Sequence, residues 1–88
     1  MKETLTVQNK LGIHARPASM IVDVTSRSIG EVFFNYNNTR VNAKSILNIM
    51  MLAIEPGAVI DVELDGENQE EIFQNLKKLF DDKFNEDE

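Results

Sequence analysis

Glu31-Val32-Phe33-Phe34-Asn35-Tyr36-Asn37-Asn38-Thr39-Arg40-Val41-Asn42 reads as one β-hairpin, and it sets the fold class. Val32, Phe34 and Tyr36 fall on one side of an alternating run, the pattern of a half-buried strand. Asn37-Asn38 tolerates the positive φ that a two-residue hairpin turn requires, and residues 39–42 supply the returning strand. Strands joined this tightly are antiparallel. Alternation means that one face is covered while the other meets water.

Outward from the hairpin the alternation recurs twice. Residues 4–8 place Leu5 and Val7 on one side, and residues 58–64 place Ile60, Val62 and Leu64 together. Between these strands the apolar period lengthens to that of helices. Over residues 15–27, Ala18, Ile21, Val22 and Thr25 share a face, with Pro17 in the first turn, where a missing N–H does little harm. Ser45 is placed to N-cap a short helix over residues 46–53, which Pro56-Gly57 ends. After the Asp65-Gly66 turn, Asn68 with Glu71 resembles a capping box. Ile72, Phe73, Leu76, Leu79 and Phe80 then form the stripe of a last helix running to about residue 83. The order βαββαβα implies an α+β fold, an open-faced two-layer sandwich with its helices on one face of an antiparallel sheet. One domain over residues 1–88 is expected, with 85–88 an acidic tail.

Composition narrows the function. With 88 residues, 42% of them apolar, the chain suits one small hydrophobic core rather than a disordered polymer. The longest apolar run, residues 49–54, is far short of a membrane span, and residues 1–4 do not begin a signal peptide. A cytoplasmic location without membrane insertion is expected. The absence of cysteine excludes disulfides, thiolate metal sites and thiol catalysis, and one histidine is too few for a His-based metal cluster. No cofactor or metal is expected. A net charge of −6 with no basic stripe argues against nucleic acid. The acidic stretch 81–88 reads as a frayed, solvated tail, because it lacks the central Gly and ligand spacing of a calcium loop.

The chemistry concentrates in Gly12-Ile13-His14-Ala15-Arg16-Pro17-Ala18, which sets an imidazole at the mouth of a helix and a guanidinium two residues on. Amides in a first helical turn, here Ala15 and Arg16, have no intrahelical partner, and the helix dipole adds partial positive charge. Such an end receives a phosphate or a similar anion. A guanidinium adds a charge-assisted fork to phosphoryl oxygens. An imidazole of ordinary pKa, about 6.5, keeps a large neutral, nucleophilic fraction at physiological pH. Alone, a histidine at a helix start serves as readily as a cap, and an arginine there as a solvated charge.

Two segments add a resemblance that runs the length of the chain. Asn9-Lys10-Leu11-Gly12-Ile13-His14-Ala15-Arg16-Pro17-Ala18 closely resembles the active-site motif of the HPr family, the histidine-containing phosphocarriers of the bacterial phosphoenolpyruvate-dependent sugar phosphotransferase system. Val41-Asn42-Ala43-Lys44-Ser45-Ile46-Leu47 resembles that family's regulatory serine region at the expected separation. The resemblance implies a four-stranded antiparallel sheet with three helices on one face. It also implies a carrier without turnover of its own, in which enzyme I phosphorylates His14 on Nδ1, Arg16 steadies the group, and a sugar-specific enzyme II component (IIA) receives it. Ser45 matches the site modified in many bacteria by an ATP-dependent kinase, HPr kinase/phosphorylase, and equally suits a plain N-cap. Ile46, Leu47 and Met50 match the residues that dock donor and acceptor, with Met20 and Val24 expected to extend the patch from the first helix. Asn48 and Ala53 stand where many members have glycine. Met50-Met51-Leu52-Ala53 is similar to the nitrogen-related regulatory branch, so a regulatory module that binds a transcription regulator stays open beside the sugar carrier. A monomer is expected.

Overall fold

The computed structural model describes residues 1–86. Four strands, β1 (Lys2–Thr6), β2 (Val32–Tyr36), β3 (Thr39–Asn42) and β4 (Val59–Leu64), alternate with three helices, α1 (Ala15–Thr25), α2 (Ile46–Met51) and α3 (Gln69–Asp81). The sheet order is β1-β4-β2-β3, every pair antiparallel. Asn37 and Asn38 take φ of 51° and 60°, as the hairpin turn demands. The open-faced sandwich and its element order therefore follow the sequence pattern.

Register places the apolar residues of neighbouring strands side by side. Leu5 faces Ile60, and Phe34 lies between Val62 and Val41. Against this surface pack Ala18 and Ile21 of α1, Ile49 of α2, and Ile72, Leu76 and Phe80 of α3, all fully buried or nearly so. Each large aliphatic or aromatic side chain withdrawn from water in this way contributes about 1.5–3 kcal/mol. On the open face the Arg40 guanidinium lies 3.7 Å from the centre of the Phe33 ring, and Glu63 accepts hydrogen bonds from Asn35 and Arg40. Those two bonds hold the Glu63 carboxyl below its ordinary value.

Tertiary packing changes four local expectations. On α1 the buried residues are Pro17, Ala18, Ile21, Val24 and Thr25, while Val22 is only half-buried. The helix lies between α2 and α3, so its covered stripe is broad and takes in Val24, which therefore cannot extend an outward patch. Asn68 does not close a capping box on α3. It accepts from the Ile29 N–H at 3.1 Å and donates to the Arg27 carbonyl at 2.9 Å, tying the start of α3 to the loop after α1. Helix α2 ends at Met51, and Ala53 takes φ of 51°, the left-handed stop usually given to glycine.

The fourth change concerns the acidic stretch. Residues 81–86 are not a frayed tail. Asp81 ends α3 with an ion pair to Lys77 at 2.7 Å. Lys83–Asn85 then forms a single turn with φ of 53°, 55° and 58°, three consecutive left-handed residues without a glycine. Such backbone costs about 1–2 kcal/mol per residue. What holds it is the Phe84 side chain, fully buried and edge-on to Phe80, together with the contacts of Glu86 described below. Asp87 and Glu88, the rest of the expected tail, lie outside the described residues.

Candidate functional site

The loop from β1 to α1 is fastened before it reaches His14. Gly12 sits at φ +69°, and a Cβ there would come within 2.6 Å of the Ile54 carbonyl oxygen. Only glycine lets the chain pass this close in this conformation. Next to it the Ile13 N–H donates to that carbonyl at 3.1 Å while its side chain is buried. Asn9, fully buried, donates through Nδ2 to the Gly12 carbonyl at 2.7 Å. These fixings, two to Ile54 and one to Asn9, deliver His14 to the N-cap of α1 in an extended conformation, φ −94° and ψ −166°.

The His14 carbonyl accepts from the Ala18 N–H at 3.0 Å, which begins the helix. Its side chain makes no capping bond, so the imidazole is not spent on the helix end. Pro17 has no N–H to leave unpaired. The first turn therefore offers the amides of Ala15 and Arg16, on exposed residues. The ring is 39% exposed, which leaves it open to another molecule. Arg16 projects from an exposed position on the same turn and forms no ion pair among the described residues.

A residue absent from the sequence-derived site completes the group. Glu86 Oε2 lies 2.7 Å from His14 Nε2, and Glu86 Oε1 accepts from Asn9 Nδ2 at 2.8 Å. Burial pushes the Glu86 carboxyl up. The hydrogen bonds from Asn9 and His14 and the charges of His14 and Arg16 outweigh it, holding the group below its ordinary value. Asn9 was visible as the first residue of the motif. For Glu86 the one available signal was Phe84, an apolar residue four positions beyond Phe80 in an otherwise charged run.

The second segment forms an N-cap and an apolar surface. Ser45 Oγ accepts from the Asn48 N–H at 3.2 Å at the head of α2. Lys44 just before it is turned away, its Nζ donating to the carbonyls of Ser28 and Gly30. Helix α2 buries Ile49 and leaves Ile46, Leu47, Met50 and Met51 exposed, Leu47 to 70%. Leu11 in the loop before His14 is exposed as well. Met20 of α1 is half-buried against the core, so only part of its side chain is left exposed. Sequence reasoning had passed over Met51 and Leu11.

Fold and site together define a class, a small open-faced sandwich that presents one imidazole and two amides without a partner among the described residues at a helix mouth beside an apolar helix. A family model described as the PTS HPr component phosphorylation site matches residues 1–82. The phosphocarrier protein HPr of Xylella fastidiosa is 41% identical over 87 residues, covering 99% of this chain and 98% of its own. HPr-C-His from Thermoanaerobacter tengcongensis superposes with a TM-score of 0.93 at 35% identity, covering 100% of this chain and 99% of that one. An HPr dimer from the same organism gives 0.78 at 38% identity over 91% and 92%. This chain belongs to the HPr family, the phosphocarriers of the bacterial phosphotransferase system.

Proposed function

We propose that this chain accepts a phosphoryl group on His14 Nδ1 from enzyme I and passes it to enzyme II (IIA) components of the phosphotransferase system. The observation that carries the reading is the half-exposed His14 ring at the N-cap of α1, beside the Ala15 and Arg16 amides, which have no partner among the described residues. Nitrogen attacks phosphorus as the donor's bond to phosphorus breaks, and the electron pair of that bond leaves with the donor. The two amides, the Arg16 guanidinium and the positive end of the helix face the anion so formed. No base is needed, because a neutral imidazole attacks through a lone pair.

Ile46, Leu47, Met50 and Met51, with the exposed part of Met20, are the surface proposed to dock both partners. Exposed methionines adapt to partners of different shape. Ser45 lies at the head of that surface, so phosphorylation there by an HPr kinase/phosphorylase would add about −1.5 to −2 charges to an apolar contact. The new group also meets the start of its own helix, so docking weakens while the fold is kept. The carrier works as a single chain in this reading, which a sedimentation measurement checks.

Incubation with enzyme I, magnesium and phosphoenolpyruvate tests the assignment. The expected product is an acid-labile, base-stable phosphate, absent from a His14→Ala variant. Label retained by that variant would remove His14 from its role.

A further inference from the structure

We infer that Glu86 is a positioning residue of the phosphoryl-transfer site, holding the proton of the His14 ring on Nε2 so that Nδ1 is the nitrogen that reacts. The inference rests on the carrier reading above and adds to it the group that selects the nucleophilic atom.

Its ground is the geometry at His14. A carboxylate only accepts hydrogen bonds, so a 2.7 Å contact between Glu86 Oε2 and Nε2 requires a proton on Nε2. In the neutral ring the lone pair is then on Nδ1. The carboxylate is itself fixed, since its other oxygen is bound by Asn9, whose Nδ2 also grips the Gly12 carbonyl of the loop before His14. Carboxylate, amide and imidazole thus form one chain of hydrogen bonds with both ends anchored. The Glu86 side chain is only 10% exposed, which strengthens a charge-assisted bond relative to one in water.

The segment that delivers it is unusual in the same direction. Three left-handed residues with no glycine, Lys83–Asn85, precede Glu86, and Phe84 in their middle is fully buried. A strained turn persists where its surroundings hold it, and such turns gather at functional sites. Here the wedge is Phe84 and the latch is Glu86.

The electron balance shows what the contact does. As Nδ1 gives its lone pair to phosphorus, the donor's bond to phosphorus breaks and its electron pair leaves with the donor. Nε2 keeps its proton, and the ring becomes a phospho-imidazolium whose positive charge faces Glu86. On donation the N–P pair returns to Nδ1, and the ring leaves neutral with the proton still on Nε2. The same tautomer serves both directions, and the carboxylate stabilises the charge that develops between them.

Two variants separate charge from hydrogen bonding. Glu86→Gln leaves an oxygen to accept from Nε2, whereas Glu86→Ala leaves none, and neither removes Phe84 from the core. With labelled histidine, NMR is expected to show a solvent-protected Nε2 proton in the wild type and in Glu86→Gln, and none in Glu86→Ala. Transfer from phosphorylated enzyme I is expected to fall about 10-fold in kcat for Glu86→Ala and about 3-fold for Glu86→Gln, with KM within about twofold, the scale of one charge-assisted bond. A wild-type chain that labels normally while its Nε2 proton exchanges as fast as in Glu86→Ala overturns the role of Glu86 alone. A wild-type chain that takes no label on His14 overturns the carrier reading and this role with it.

Discussion

The Phe84 ring meets Phe80 edge-on, with centroids 4.9 Å apart and planes at 60°, so the last turn of α3 and the left-handed turn after it share one aromatic contact. This pair couples the helix layer to the site, because Phe84 lies two residues before Glu86. Truncating a buried phenylalanine costs about 3–5 kcal/mol, and such a ring pair accounts for about 0.5–1.5 of that. Release of the strained turn returns part of the loss. Phe84→Ala is therefore expected to destabilise the fold by about 3 kcal/mol in urea denaturation and to abolish protection of the His14 ring proton. Retention of that protection would show that Glu86 docks without its wedge.

Ala53 supplies a test of opposite sign. It holds φ of 51° just past the end of α2, and its side chain is exposed, so nothing is lost by removing the methyl group. Glycine reaches this backbone without the steric cost that alanine meets, though it gives up more freedom on folding. Ala53→Gly is expected to raise stability by about 0.5–1 kcal/mol and to leave the rate of phosphorylation unchanged. Lower stability in equilibrium denaturation would show that the left-handed conformation is not the one populated.

Legibility from sequence follows the range of the interactions involved. The hairpin is readable because Asn37-Asn38 and the alternating residues around it decide its form locally. His14 is readable for the same reason, since Gly12, Pro17 and Ala18 mark a loop giving way to a helix. Asn68 misleads because its spacing from Glu71 suits a cap while its strongest partners, Ile29 and Arg27, lie some forty positions away. Val24 is buried as well because packing between two helices, rather than one, widens the covered face. Glu86 was nearly out of reach, with Phe84 its one local signal. Its partner is 72 positions away, and the turn that aims it contradicts every local preference for glycine at positive φ. The chemistry of the acceptor was local, and the group that orients it was not.

The Glu86 carboxyl titrates as a reporter of that long-range contact. Burial raises it, but the bonds from Asn9 and His14 and the nearby positive charges leave its folded-state value below its unfolded one. The unfolded chain therefore binds the proton more tightly. The contact stabilises the fold fully above the unfolded value and loses that contribution as pH falls through the folded one. Carbon-detected NMR is expected to give a midpoint below that of a glutamate in the denatured chain. In His14→Ala one hydrogen bond and one charge are gone, and the midpoint moves up; an unmoved midpoint would count against the contact in solution.

Ser45 separates a structural role from a regulatory one. Its Oγ caps α2 through the Asn48 N–H, so Ser45→Ala is expected to cost about 1 kcal/mol. Aspartate also caps, and its charge suits a helix start, so Ser45→Asp keeps stability within about 0.5 kcal/mol of the wild type. It nevertheless places a charge beside Ile46 and Leu47. Phosphorylation of Ser45→Asp by enzyme I is expected to slow while the fold is intact, as denaturation and initial rates together report. A wild-type rate in that variant would refute control through charge at the patch.

Leu47 gives the sharpest contrast between folding and docking. At 70% exposure its side chain has little to lose when the protein unfolds, and substitutions at such surface positions change stability by no more than about 0.5 kcal/mol. A docking residue behaves differently, because an apolar side chain at the centre of a contact costs about 1–2 kcal/mol of association when truncated. That difference corresponds to roughly 5- to 30-fold in affinity. Leu47→Ala is therefore expected to raise the KM for phosphorylation by enzyme I within that range, with kcat and the urea midpoint near those of the wild type. The two quantities respond to different surfaces, so they can move apart only if Leu47 meets the partner and not the core. A KM within twofold of the wild type would place enzyme I elsewhere on the molecule.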